Sequence, residues 1–131
     1  MLDKIKGLAK KYAPEFIEVR HHLHAHPELS YQEYETSKLV QQQLGSFGID
    51  YEIKAETGVV GLIKGKNADK RIIALRADMD ALPITEENNV PYKSKIDGVM
   101  HACGHDVHTS CLLGAAKILN ELKNDWEGTV N

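Results

Sequence analysis

The chain has 131 residues, 42% of them hydrophobic and 27% charged, and a formal net charge of -3 at pH 7. These proportions fit one soluble globular domain and exclude a disordered segment; with scattered lysines and no basic excess, nucleic acid is not an expected partner. No apolar run reaches membrane-spanning length and the N-terminus lacks the apolar centre of a signal peptide, so no membrane partner and a cytoplasmic location are expected.

In chain order, apolar residues at helical spacing (Ile5, Leu8, Ala9, then Phe16, Val19, Leu23) predict two short helices, over residues 2–11 and 14–25, the second ended by Pro27. Ser30 and Glu33 are spaced as a capping box for a further helix running to about Gly45. Residues 51–54 and 59–63 are β-rich runs joined by a turn at residues 56–58, and Gly65-Lys66-Asn67 forms a second turn. Residues 71–75 hold a nearly continuous apolar stretch, the pattern of a central strand covered on both faces, which delivers Asp78 and Asp80 at its C-terminal end. Residues 81–99 contain Pro83, Asn88, Asn89, Pro91 and Gly98 with little periodicity and predict a long loop, a kind of segment that is usually functional. A helix opening at Asp106 or Val107 and running to about Lys123 carries a wide apolar stripe (Leu112, Leu113, Ala115, Ala116, Ile118, Leu119, Leu122) expected to be buried, with Cys111 as a core thiol. Met79 is expected in the core as well. A turn at residues 126–128 leads into the beginning of a strand at residues 129–131. The expected fold class is α/β, an incomplete three-layer sandwich of a mixed β-sheet with helices on both faces.

The chemistry concentrates at residues 100–108, Met-His-Ala-Cys-Gly-His-Asp-Val-His. Cys103 and His105, two apart on a glycine-containing loop, can aim a thiolate and a neutral imidazole at one borderline-soft cation such as Zn²⁺. Two donors do not hold a metal firmly, and Asp78 and Asp80 are the first place to look for more. The bland alternative is a buried thiol beside a helix-capping histidine. His101 and His108 read as groups supporting the ligands, or on the surface, with His108 also open to substrate. Asp106 reads equally as a helix cap or as a metal-site residue. The other histidines, His21, His22, His24 and His26, include an i,i+4 pair. Two cysteines so close together in a reducing compartment do not suggest a disulfide.

Three motifs in this order, Arg-His-His-Leu-His-Ala-His-Pro-Glu-Leu-Ser at 20–30, Arg-Ala-Asp-Met-Asp-Ala-Leu-Pro at 76–83 and the segment at 100–108, resemble the aminoacylase and hippurate hydrolase branch of a metallopeptidase family. That family also contains carboxypeptidases, auxin-conjugate hydrolases and N-acetyl-diaminopimelate deacetylases, and the resemblance covers essentially the whole chain. It implies a hydrolase that cleaves the amide of N-acyl amino acids or short peptides with a metal-activated water and two divalent cations (Zn, Mn, Co or Ni) per complete site. Cys103 and His105 match metal ligands. Asp78 matches the aspartate that orients a ligand and supports the metal-bound water, with Asp80 the alternative for that part. Arg20, Leu23, His24, Pro27, Glu28 and Leu29 match structural positions near the site, so the histidines at 21–26 are expected to serve packing and hydrogen bonding rather than metal ligation. Family members are homo-oligomers with a dimerisation domain, and their general-base glutamate and further ligands lie downstream of the cysteine motif. On this resemblance residues 1–131 are expected to be the N-terminal part of the catalytic domain, without the remainder of that domain or the dimerisation domain. Such a piece is expected to be inactive, to bind metal weakly or not at all, and to self-associate; the alternative is a non-catalytic metal-binding or structural interaction fragment.

Overall fold

The computed structural model describes residues 1–131. Three helices, α1 (Leu2–Ala25), α2 (Tyr34–Ser46) and α3 (His105–Glu121), accompany four strands, β1 (Asp50–Lys54), β2 (Gly58–Lys64), β3 (Ile72–Ile73) and β4 (Thr129–Val130). The strands form one mixed sheet in the order β1-β2-β4-β3, antiparallel except for the β3–β4 pair. β1 and β2 make a hairpin whose tight connection uses positive φ at Ala55 and Glu56. Alternation along β2 turns Val59, Gly61 and Ile63 toward the helices and leaves Val60 and Leu62 exposed on the other face. Gly61 lies against Leu44 and Ile49, where a Cβ would make ordinary contact at 3.4–3.5 Å. The α/β class and the mixed open sheet agree with expectation, and within this chain α2 and α3 both lie on one face of the sheet, with α1 layered against α3. One apolar cluster joins Phe16, Val19 and Leu23 of α1, Val40 and Leu44 of α2, Ile49, Ile63 of β2 and Leu113 of α3, and Met79 packs half-buried against it.

Several local expectations are corrected. The two short N-terminal helices are one helix of 24 residues with Pro14 inside it. Proline removes one intrahelical bond and crowds the preceding turn, but Pro14 and Lys10, whose carbonyl loses its partner, are both exposed to water. Contacts with α3 and the turn after it bridge the proline: Lys4 Nζ donates to Asp125 at 2.9 Å, the Tyr12 hydroxyl to Glu121 at 2.5 Å, and Lys117 Nζ to Glu15 at 2.6 Å. Ser30 and Glu33 do not form a capping box. The Glu28 carboxylate caps α2 instead, accepting from the amides of Glu35 (3.1 Å) and Thr36 (2.6 Å) and from the Thr36 hydroxyl (2.6 Å).

The run at 71–75 is not a central buried strand. β3 is two residues long at the sheet edge, with Ile72 and Ile73 68% and 42% exposed, because no helix of these residues lies over it and only β4 pairs with it. In α3 only Leu113 and Gly114 of the predicted stripe region are fully buried; Leu112, Ala115, Ala116, Ile118, Leu119 and Leu122 are half-buried. Cys111 is exposed rather than a core thiol, since it opens on an apolar groove between α1 and α3 lined also by Ile5, Ile17, Ala115 and Ile118. Both cysteines are free. No helix is long and apolar enough to cross a membrane.

Removing the cap should cost what a lost helix N-cap costs. Glu28→Ala is expected to lower stability by about 1–2 kcal/mol, read from urea unfolding, with its largest effect on α2. The open apolar edge should also drive pairing between copies. Sedimentation is expected to show concentration-dependent association that Ile72→Lys weakens, since a lysine on an edge strand opposes such pairing.

Candidate functional site

Beyond β3 the chain passes under the start of α3, bringing the acidic pair to the glycine-containing loop. The two aspartates have different fates. Asp80 faces the loop: its Oδ1 lies 2.9 Å from Nδ1 of His105 and its own carbonyl 3.0 Å from the same nitrogen. The Ser30 hydroxyl donates to Asp80 Oδ2 at 2.5 Å. That hydroxyl foremost, with His105 beside it, holds the Asp80 carboxyl below its ordinary value in spite of partial burial. Asp78 is half exposed, pairs with Arg76 at 2.7 Å, and offers its carbonyl to the Thr109 hydroxyl at 3.0 Å.

Both groups facing His105 Nδ1 are acceptors, so Nδ1 carries the proton and Nε2 presents a lone pair. Gly104 makes the approach possible. It caps α3 with φ 87°, a left-handed conformation that side-chain-bearing residues rarely adopt, and its carbonyl accepts from the amides of Val107 and His108. Cys103, just before it, is exposed. His108 is exposed one turn along α3, its ring centroid 6.1 Å from that of His105.

Asp106 is neither at the surface nor a side-chain cap. It is the most buried side chain of the protein at 1% exposure, and its Oδ2 accepts from Arg20 Nε at 2.9 Å and faces His24 Nδ1 at 2.7 Å. His101, expected near the ligands or at the surface, is buried, and neither ring nitrogen has a hydrogen-bond partner within the chain. Burial pushes its pKa down against the pull of Asp106. The first histidine group serves packing and hydrogen bonding: His21 stacks on Tyr92 at 3.9 Å, His22 on His26 at 4.4 Å, and His26 Nδ1 donates to the His22 carbonyl.

The structure thus brings Asp80 to His105, with Cys103 exposed two residues before that histidine, and leaves Asp78 to an exposed ion pair. No three His, Cys, Asp or Glu side chains converge closely enough to enclose a metal. The donor chemistry still fits one: a thiol and an imidazole nitrogen whose tautomer is fixed by a carboxylate, the usual support of a metal-ligating histidine. Two contributors escaped the sequence reading. Ser30 reads as a helix cap, and Glu86, 4% exposed, lies in the aperiodic segment where no pattern marks it.

Residues 74–131 match the model of peptidase family M20/M25/M40. Over 129 residues the chain is 47% identical to an N-acyl-L-amino acid amidohydrolase of Geobacillus stearothermophilus, covering 98% of this chain and 35% of that protein. It is 53% identical to a hippurate hydrolase of Campylobacter jejuni over 118 residues, 89% of this chain and 30% of the other. Among solved structures it superposes with a TM-score of 0.87 and 46% identity on a dinuclear metal-binding peptidase of the M20 family from Bacillus subtilis, covering 92% of this chain and 34% of that one. The chain spans about a third of the length of the curated relatives it matches.

Acid titration should expose the role of Glu86. Burial pushes its carboxyl up, but hydrogen bonds from His24, the Ser94 amide and Asn88 outweigh this and hold it below its ordinary value. A depressed folded pKa adds stability that is fully present above the unfolded value, about 4.3 for glutamate, and lost as pH falls through the folded one. Glu86→Gln should therefore be less stable than wild type at neutral pH, with the gap in urea midpoints closing as pH drops below about 4.

The chain is thus similar over 92% of its length to a solved M20 peptidase, and over residues 74–131 to the M20/M25/M40 peptidase family model.

Proposed function

We propose that this chain supplies one side of the divalent-metal centre of an amidohydrolase that cleaves N-acyl amino acids or short peptides. The observation that carries the reading is the His105 imidazole, with Nδ1 held by Asp80 and Nε2 bare, two residues from the Cys103 thiol. The names of the relatives, an N-acyl-L-amino acid amidohydrolase and a hippurate hydrolase, support the substrate class, and the dinuclear M20 peptidase supports two cations per complete site. Zinc, manganese, cobalt or nickel fit this mixed thiolate and imidazole set. When bound, such ions polarise an amide carbonyl and make a water acidic enough to attack it near neutral pH.

The residues of this chain have separable parts in that reading. Cys103 and His105 would hold metal. Asp80 fixes the His105 tautomer, with Ser30 steadying the carboxylate from the other side, which favours Asp80 over Asp78 as the supporting aspartate. Asp78 keeps Arg76 in place and, through its carbonyl, ties the acidic segment to Thr109 on α3. His108 stands at the mouth, available to a substrate carboxylate or acyl oxygen. A pair of donors from one loop gives weak affinity, because most of the binding free energy of a protein metal site needs the full ligand set. Hydrolysis by residues 1–131 alone is accordingly not expected.

Equilibrium dialysis with Zn²⁺ and Co²⁺ tests the site. Wild type is expected to bind weakly, Cys103→Ser and His105→Ala to lose detectable binding, and Asp80→Asn to weaken it about tenfold, while Asp78→Asn changes it little. Binding that survives Cys103→Ser unchanged removes the proposed site, and chelator-sensitive turnover of an N-acyl amino acid by the 131 residues removes the expectation of inactivity.

A further inference from the structure

Three parts of the chain far apart in sequence meet on one imidazole. His24, in the last turn of α1, is 4% exposed. Its Nδ1 is 2.7 Å from Asp106 Oδ2, on the first turn of α3, and its Nε2 is 2.6 Å from Glu86 Oε1, in the long segment between Asp80 and His101. Each carboxylate is itself a junction. Asp106 also takes the Arg20 guanidinium. Glu86 also accepts from the Ser94 amide at 2.5 Å and from Asn88 at 3.3 Å, which closes its own segment into a loop.

A second set of contacts holds that loop on α1. The Lys95 amide donates to the Ala25 carbonyl at 2.9 Å. The Tyr92 ring lies flat on His21, takes the Arg20 guanidinium at 4.7 Å from its centroid, and meets the edge of His24 at 5.5 Å. Buried carboxylates are tolerated only where donors meet them, and removing one donor strands the rest. Of the donors here, His24 is the only side chain that touches both carboxylates.

The position of this junction gives it a further meaning. Asp106 follows His105 directly, so the start of α3 is gripped from two sides: His105 by Asp80, and its neighbour by His24 and Arg20. The loop fixed by Glu86 runs straight into His101, whose ring centroid is 6.4 Å from that of His24, and on to Cys103. We infer that His24 is a positioning residue for the Cys103–His105 segment, acting through Asp106 on one side and Glu86 on the other, without itself touching metal or substrate. This rests on the reading of Cys103 and His105 as metal donors, and the two ideas fail differently.

The test compares wild type with His24→Leu, His24→Gln and, as a control destabilised away from the site, Val40→Ala. Three quantities are read in each: amide hydrogen exchange at Ser94 and Lys95, the ¹⁵N signals of the His105 ring, and Zn²⁺ affinity. His24→Leu is expected to speed exchange at both amides by about tenfold or more beyond Val40→Ala, as local opening does when an anchoring contact is lost. It should also erase the preference of His105 for the Nδ1–H form and weaken Zn²⁺ binding about tenfold. His24→Gln, which keeps a donor for one carboxylate, should fall between and remains informative if the leucine variant does not fold. If the His105 ring signals in both His24 variants match those of Val40→Ala, the inference is overturned, whatever the loss of stability. If the ring and amide signals move as expected but wild type shows no Cys103-dependent Zn²⁺ binding, the metal reading fails while the positioning of His105 by His24 stands.

Discussion

A carboxylate with 1% of its surface exposed has to be met by donors inside the protein, and for Asp106 those donors come from a different helix. Arg20 and His24 stand one helical turn apart on α1, which places both on the same face and lets them close on a single oxygen. This requirement fixes how the C-terminal half of α1 meets the start of α3. Apolar packing of Phe16 against Gly114, where a Cβ would come within 3.2 Å of the ring, sets how closely the two helices approach. The polar junction then sets where along its length each helix sits. Hydrophobic contact is non-directional and tolerates sliding, whereas a charged pair of hydrogen bonds does not.

With α3 so placed, the end of β3 lies alongside it and the rest of the site follows from short-range chemistry. Asp80 reaches the imidazole nearest the helix start, and Ser30, just beyond α1, reaches Asp80. The result is a line from hydroxyl to carboxylate to imidazole. The glycine before the helix permits the left-handed turn between the thiol-bearing residue and the imidazole.

The elements with clear periodicity or strong breakers could be read in advance: α2, the β1–β2 hairpin, the long loop and α3 all lie close to where the pattern puts them. What misled were signals whose meaning depends on distant partners. Pro14 looks like a helix end, yet its lost bond falls on the watered side of a helix held to α3. Ser30 has the spacing of a cap, but a carboxylate farther back in the chain reaches the α2 amides and frees the serine for Asp80. The apolar run at 71–75 resembles a covered strand, and only the sheet order shows that it is at the edge. The segment at 100–108 stands out because its residue types are rare together, and hydrogen bonding by His24 was expected; the contacts of Glu86 were not legible, since a lone glutamate in an aperiodic segment has no pattern to betray its partner.

The sheet order has a consequence for how the chain is made. β3 bonds to nothing but β4, and β4 sits between β3 and β2. A strand emerging from the ribosome at residues 72–73 therefore waits for more than fifty further residues before its only hydrogen-bonding mate exists, an interval of roughly 3–10 s at ordinary elongation speeds. The early hairpin and its helix can condense during that time, and the aspartate segment can dock on residues 28–30 through Ser30 and the Glu28 carbonyl before β3 is paired. Pairing of β3 into the sheet is thus postponed until residues 129–130 arrive.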